Sequence, residues 1–448
     1  MNVSDTIAAL ATPPGRGAIA IVRVSGPDVR EIASRIVPDV ALRPRYAHYA
    51  TMFDESGAAI DRGLVLFSAA PNSYTGEHTL ELHVHGSPVV VREVLRALVA
   101  FGARPALAGE FTRRAFMNGK LDLHAASAVA DLIDAETRSA ARAALANLGG
   151  GLASDDRRLR SVLATIVEEC SGAIDFPEEV PDPDRTRVDD DVRLIVEELQ
   201  LLQRDGEVGR LVREGVTVAI VGPPNAGKSS LLNALLGEER ALVSDIAGTT
   251  RDTIEESMAI DGVRVRLVDT AGIREHADRL ESAGIERTHR ALQSARIALV
   301  VLDGSVPLDA QGRALLDETA ARERIVFFNK GDLGDAGAQD AGIRGAITGS
   351  IRNGGTIAQL RAAIAQTGWC GEAPDLERPH LASAREFDAI RVAIDALAEA
   401  RSTLARAEPI DLIVGDLQRA FAALGHVSGD VAAEDVLDGV FARFCIGK

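Results

Sequence analysis

The sequence predicts an α/β multidomain chain: an α+β N-terminal domain, a discontinuous helical domain, and a Ras-like P-loop domain inserted into the helical one. Three observations predict it. Residues 1–118 alternate short β-type runs with Pro and Gly turns. Ala-rich helical periodicity fills 119–213 and returns over 372–448. Between them, over 214–371, strands and helices alternate behind a glycine-rich phosphate-loop signature.

At 448 residues the chain is longer than one core usually supports, and its 46% hydrophobic content is that of a globular protein. Three scattered cysteines argue against a disulfide framework and for a reducing compartment. The N-terminal stretch lacks a charged leader with an apolar core, and no apolar run nears about eighteen residues, so a cytoplasmic protein is expected. The net charge of −17 speaks against a broad non-specific nucleic-acid surface. It leaves room for a local RNA site that reads shape or single-stranded bases.

In chain order, "AIAIVRVSGP", "GLVLF" and "TLELHVHG" read as strands and "PDVREIASRIV" as a helix. "HAASAVADLIDAETRSAARAALANL" has apolar positions every three or four residues and reads as helix. The acidic stretch "FPEEVPDPDRTRVDDDVR" interrupts it, and helix resumes in "LIVEELQLLQRDGEVGRLVREG". "VTVAIVG" then opens the inserted domain, and "REFDAIRVAIDALAEARSTLARA" returns to helix.

"GPPNAGKSS" (222–230) fits G-x-x-x-x-G-K-[ST] between an apolar strand and a helix. Its glycines let backbone amides curl toward phosphate oxygens at a helix N-terminus. Lys228 reaches the β- and γ-phosphates, and the Ser229 hydroxyl suits Mg²⁺. "NKGD" (329–332) follows the strand "RIVFF"; the Asp332 carboxylate can accept two hydrogens from guanine, which adenine does not offer. "DTAG" (269–272) ends the strand "VRVRLV", the second arm of a hairpin turning at Asp261 and Gly262. Asp269 would hold Mg²⁺ through water, and the Gly272 amide would reach the γ-phosphate. "GTTRD" supplies Thr250 as the second Mg²⁺ ligand. Ser350, Ile351 and Arg352 stand where a base-clamping loop is expected. The expected GTP set is Asn225, Ala226, Gly227, Lys228, Ser229, Ser230, Ser244, Asp245, Ile246, Ala247, Gly248, Thr249, Thr250, Asp269, Thr270, Ala271, Gly272, Asn329, Lys330, Asp332, Ser350, Ile351 and Arg352. Ras-type proteins place a water-orienting glutamine after the DTAG-type motif. Here that position is Ile273, which has no polar atom: either catalysis is lost and the enzyme is slow, or a different side chain, and with it a different cation, supplies the missing stabilisation.

Beyond these motifs, "DTIAALATPPGRGAIAIVRVSG", "PNSYTGEHTLELHVHG", "GEFTRRAFMNGKLDL" and the final "FCIGK" make the chain resemble the tRNA-uridine-modifying GTPase family known as MnmE or TrmE, over nearly its whole length. The resemblance implies a folate-binding-like N-terminal domain that dimerises and holds a one-carbon tetrahydrofolate at Arg23, Glu81, Lys120 and Lys448. It implies that Glu281 positions the attacking water. K⁺ would be held by Asn225, Ser244, Ile246 and Thr249, doing the electrostatic work of an arginine finger. It also implies a homodimer, a flavin-dependent partner of the MnmG/GidA type, and tRNA as substrate, modified at C5 of the wobble uridine. Cys445 matches the cysteine that this reaction needs. The chain departs from the family at Pro223, where arginine is usual, and at Ile351, where alanine is usual.

Composition alone makes Cys170 and Cys370 packing residues and would make Cys445 one, but for Cys445 the family motif reverses that toward function. A lipidation box reads poorly onto Cys445, because Gly447 and Lys448 do not suit it. His83 and His85, with His78 nearby, read as structural or solvent-facing, since no further ligands appear at useful spacing. The competing function is a regulatory or ribosome-assembly GTPase without covalent RNA chemistry. Such a switch has no use for the folate-like positions or for Cys445.

Overall fold

The computed structural model describes residues 5–237, 255–260, 262–269, 291–368, 378–429 and 434–448. Two compact units account for them, the first from residues 1–130, 147–199 and 384–448, the second from 131–146 and 200–383.

In the first unit, strands β1 (Ile7–Leu10), β2 (Ile19–Ser25), β3 (Ala47–Phe53), β4 (Ala59–Ser68), β5 (Thr79–His85) and β6 (Arg104–Pro105) form one sheet in the order β3-β4-β5-β2-β1-β6. Strand periodicity divides its residues between two faces. Val22, Val24, Val65, Phe67, Leu80, Leu82 and Val84 point inward, where Val29, Ile32 and Ile36 of helix Val29–Ile36 and Val91, Val94 and Leu98 of helix Pro88–Ala100 cover them. Arg23 and Glu81 lie on the opposite face as cross-strand partners. The strands and first helix expected from the sequence are all present here.

The helical part of this unit is built on helices Gly151–Asp175, Ala384–Ala405 and Ile410–Ser428, the last packing against both others. Alanines at 389, 393, 396 and 400 line one helix and Ala420 and Ala423 another, which lets the backbones approach closely around Leu163, Ile166, Leu397 and Leu417. Arg401 grips Asp189 with two bonds of 2.7 and 3.1 Å. Deeper in the same unit, His124 Nδ1 lies 3.0 Å from Glu386 Oε1, with the two side chains 1% and 0% exposed. Burial pulls the imidazole pKa down, but the Glu386 carboxylate, helped by Asp122 and Asn147, outweighs it and holds the value above 6.5.

The second unit carries a sheet of β7 (Val216–Val221), β8 (Glu255–Ile260), β9 (Val263–Asp269), β10 (Ile297–Asp303), β11 (Arg324–Asn329) and β12 (Ile347–Thr348), ordered β12-β11-β10-β7-β9-β8. All neighbours are parallel except β8 and β9, whose Ile260–Val263 pairing closes the expected hairpin. Gly262 takes φ +83°, a left-handed conformation suited to glycine in a two-residue turn. The central strands are apolar over residues 218–221, 297–302 and 325–328, as strands covered on both faces must be. Leu211 and Val212, at the end of helix Arg185–Glu214, join this sheet's core.

Candidate functional site

In a parallel sheet, ligands gather outside the carboxyl ends of the strands. The motifs fall there. β7 runs into the loop 222–227 and then into helix Lys228–Leu236; β9 ends at Asp269, whose backbone pairs with Ile220; β10 ends at Asp303, paired with Asn329 at the end of β11.

The loop's shape follows from its residues. A Cβ on Gly222 would lie 2.1 Å from the Val301 carbonyl oxygen, so only glycine lets the loop leave β7 so close to β10. Asn225 adopts φ +62° and Gly227 φ +100°, two left-handed positions that turn the chain back on itself. Lys228 Nζ crosses the loop and donates to the carbonyls of Gly222 and Pro223 at 2.8 and 2.9 Å. Pro223 therefore keeps its carbonyl, one of the two backbone groups this lysine uses.

Asn329, 2% exposed, joins this loop to the base loop. Its Nδ2 donates to the Ala226 carbonyl at 2.9 Å, and its Oδ1 accepts from the Ile351 amide at 3.3 Å. Ile351 thus contributes a backbone amide, which its side chain does not disturb. Lys330 sits at φ +63° with Nζ 2.6 Å from Asp303 Oδ2. Burial would raise the Asp303 carboxyl, but Lys330 and Ser305 hold it below the usual range. The Gly331 amide donates to Gly349 at 2.8 Å, and the Arg352 amide to Ser350 Oγ at 3.3 Å. With its loop fixed by these bonds, Asp332 is exposed. Ser229 and Ser230 open the helix after the loop. Ser244, Asp245, Ile246, Ala247, Gly248, Thr249, Thr250, Thr270, Ala271, Gly272, Glu281 and Cys370, and the side chain of Asp269, lie outside the described residues.

The first unit holds the other expected residues, with Arg23 and Glu81 on the sheet face away from its helices Val29–Ile36 and Pro88–Ala100. Arg23 Nε and Nη2 meet Glu81 Oε1 at 3.0 and 2.9 Å. The guanidinium lies 5.6 Å from the Tyr74 ring centre and 5.8 Å from that of Phe111. Burial pushes the Tyr74 phenol up, against its bond to Thr112 and the nearby Arg23. Lys120 is exposed, and its stem passes over Gly76, where a Cβ would lie 3.3 Å from Lys120 Cγ.

The segment 444–448 is sewn onto this domain. Ile446 bridges Ala108, the Gly109 amide donates to Cys445 at 3.4 Å, and the Phe111 amide donates to Lys448 at 3.2 Å. Gly447, at φ +101°, packs where a Cβ would come 2.2 Å from the Leu10 carbonyl oxygen. Phe441 and Phe444 anchor the segment against Leu123 and Ala126. Cys445 is left exposed and Phe444 faces inward, which goes against the packing reading that composition alone would give. Cys170 is buried as expected, and burial raises its thiol pKa. Lys448 stands beside Arg23 and Glu81; burial and then Arg23 lower its pKa, against the pull of Glu81. Of the histidines, His85 Nδ1 meets Asp61 at 2.8 Å, His83 lies 3.6 Å from Glu81, and His78 accepts from the Ala70 amide at 3.0 Å.

Sequence reasoning missed Asp303, Tyr74 and Phe111. Asp303 ends an apolar strand in "VVLDGS", which is the local signal that could have found it. Tyr74 and Phe111 fell within quoted stretches without a role.

A phosphate loop braced to a guanine-type base loop at the strand tips of a Ras-like sheet defines a P-loop GTPase. Residues 6–120 match the family described as GTP-binding protein TrmE N-terminus, and residues 123–445 match the MnmE helical domain. A tRNA modification GTPase MnmE from Heliobacterium modesticaldum is 41% identical over 100% of both chains. Those of Neisseria meningitidis serogroup A (43%, 99% of both) and Laribacter hongkongensis (41%, 100% of this chain and 99% of that one) match alike. Among solved structures, an Era variant of Aquifex aeolicus aligns at 23% identity over 40% of this chain and 66% of that one, with a TM-score of 0.26. The chain belongs to the tRNA modification GTPase MnmE family.

Proposed function

We propose that this chain hydrolyses GTP to drive modification of tRNA at C5 of the wobble uridine, adding an aminomethyl-type (carboxymethylaminomethyl) group together with a flavin-dependent partner of the MnmG/GidA type. The observation that carries the reading is the segment 444–448 stitched beside Arg23–Glu81, in a chain that also carries a complete phosphate and base loop. A timing switch gives that segment no task.

In this reading residues 1–118 bind tetrahydrofolate and dimerise, 119–213 and 372–448 form the helical domain, and 214–371 form the G domain. Lys228 and the loop amides hold the phosphates and Asp332 selects guanine. Ser229 and Thr250 ligate Mg²⁺, which neutralises phosphate charge. K⁺ sits against Asn225, Ser244, Ile246 and Thr249 when two G domains meet. Asn225, in a left-handed backbone conformation, is exposed at the loop, where its side-chain oxygen is free to take a cation. Glu281 orients water. The donor set of the first unit fits a folate: Arg23, Lys120 and Lys448 suit carboxylates, and Glu81 suits a donor-rich pterin. Bound there, that group supplies the one-carbon unit. Cys445, exposed on the neighbouring segment, is positioned to act on the same reaction. The protein works in the cytoplasm; among the described residues, no helix is long and apolar enough to cross a membrane.

Calorimetry of the purified chain with 5-formyl-tetrahydrofolate, beside a GTP-turnover assay, tests this reading. Folate binding that is lost in Glu81→Ala, alongside GTP turnover, is expected. GTP turnover without folate binding would leave the regulatory GTPase as the reading.

A further inference from the structure

β10 and β11 end side by side, with Asp303 paired to Asn329, so the residues that follow each strand meet at the base loop. Lys330 is the second residue of Asn-Lys-Gly-Asp and takes φ +63°, a left-handed conformation that costs energy in a residue with a Cβ. Its carbonyl accepts from the Leu333 amide at 2.8 Å, closing a turn over 330–333. Asp332 is the third residue of that turn and is exposed. The backbone conformation of Lys330 therefore decides where the Asp332 carboxylate points.

Asp303 holds that conformation. Its Oδ2 lies 2.6 Å from Lys330 Nζ. Its Oδ1 accepts from the Ser305 amide at 3.0 Å and from the Ser305 hydroxyl at 2.6 Å, which fixes the carboxylate that the lysine meets. The loop carrying it is tied down as well. The Gly304 amide donates to the Asn329 carbonyl at 2.7 Å, and the Gly304 carbonyl accepts from the Gly337 amide at 3.0 Å. A Cβ on Gly304 would lie 2.9 Å from the Asn329 carbonyl oxygen, and one on Gly337 would lie 2.7 Å from that of Asp303. With the two side chains 33% and 27% exposed, the ion pair adds little to global stability. Its consequence is local: it keeps the first residue of the turn left-handed.

We propose that Asp303 is a positioning residue for base selection, setting through Lys330 and the 330–333 turn the direction in which Asp332 meets the base. The inference rests on the reading above in which Asp332 selects guanine, and it adds the residue of a neighbouring strand on which that selection depends. Asp303 needs no contact with the nucleotide to do this.

Inosine triphosphate, which lacks the 2-amino group of guanine, supplies the readout. The Asp332 carboxylate can accept from two donors on guanine and from one on hypoxanthine, so the ratio of the two affinities reports how that carboxylate is aimed. Both are measured by competition against a fluorescent GTP analogue. D303N keeps an oxygen for Ser305 and turns an amide donor toward Lys330. With its folding checked by melting temperature, D303N is expected to lose about tenfold in preference for GTP over inosine triphosphate, the scale of one hydrogen bond to a charged group. A merely structural contact would weaken both nucleotides alike and leave the ratio unchanged. S305A, which loosens the carboxylate without removing it, is expected to shift the ratio in the same direction by a smaller factor, and it decides alone if D303N does not fold. A wild-type ratio in the deciding variant overturns the inference and leaves the base-loop reading standing. A wild type that binds both nucleotides equally overturns that reading and the inference with it.

Discussion

Asn329 donates its side-chain amide to the Ala226 carbonyl at 2.9 Å, across 103 residues of sequence. That one bond couples the loop meant for phosphates to the loop meant for the base. The same side chain accepts from Ile351, so both of its polar ends are engaged inside the protein. A Cβ on Gly227 would lie 2.4 Å from Asn329 Nδ2, so the glycine of the phosphate loop also makes room for this brace.

Asn329→Ala should therefore loosen both loops at once. It leaves a buried carbonyl and an amide without this partner, at a cost of about 1–3 kcal/mol for each unsatisfied group. Titration with a fluorescent GTP analogue should show affinity reduced more than tenfold (about 1.4 kcal/mol). Unchanged affinity would mean that the loops hold their shape without the brace.

Asp332→Asn should invert base preference. The amide no longer matches the guanine donors but does match a base carrying a carbonyl at that edge, so xanthosine triphosphate should compete better than GTP. Discrimination by matched buried hydrogen bonds reaches about 10⁴-fold. Competition binding with both nucleotides reads it out, and a retained preference for GTP would remove Asp332 from base recognition.

GTP turnover should rise in K⁺ and stay low in Na⁺, and Asn225→Ala should abolish the difference. A cation replacing an arginine finger is worth about 10³–10⁵ in rate. Equal rates for wild type in the two salts would eliminate the K⁺ site.

His124 and Glu386 make stability depend on pH in a defined direction. The folded imidazole titrates above its ordinary 6.5, so the pair's contribution is complete below that value and disappears as pH rises through the folded pKa. Glu386→Gln should consequently lower the melting temperature most in mildly acidic buffer, and the gap from wild type should narrow as pH rises. Breaking such a buried pair costs about 3–5 kcal/mol. A gap that widens with pH would contradict the assignment.

Much of the second unit was legible because its signals are local. A glycine-rich loop between an apolar strand and a helix, and Asn-Lys-Gly-Asp after another strand, are set by neighbouring residues, and the hairpin at Gly262 needed only its turn and two alternating strands. What was not legible depends on distant partners. Asp303 gives no sign that Lys330 will reach it, and His124 and Glu386 meet across 262 residues. The composition of "FCIGK" favoured a buried cysteine, yet the bridge from Ile446 to Ala108 and the inward Phe444 turn Cys445 outward. Tyr74 and Phe111 read as ordinary apolar residues until the sheet brings Arg23 between them.

The measurement closest to the central claim is mass spectrometry of wobble-position nucleosides in tRNA from a deletion strain complemented with wild type or with Cys445→Ser. Modified uridine restored by wild type and not by Cys445→Ser is the predicted result. It would tie the GTPase to tRNA chemistry and the exposed cysteine to the reaction. Identical nucleoside profiles in the deletion strain and the complemented strains would contradict the account and leave a GTPase that acts by timing alone.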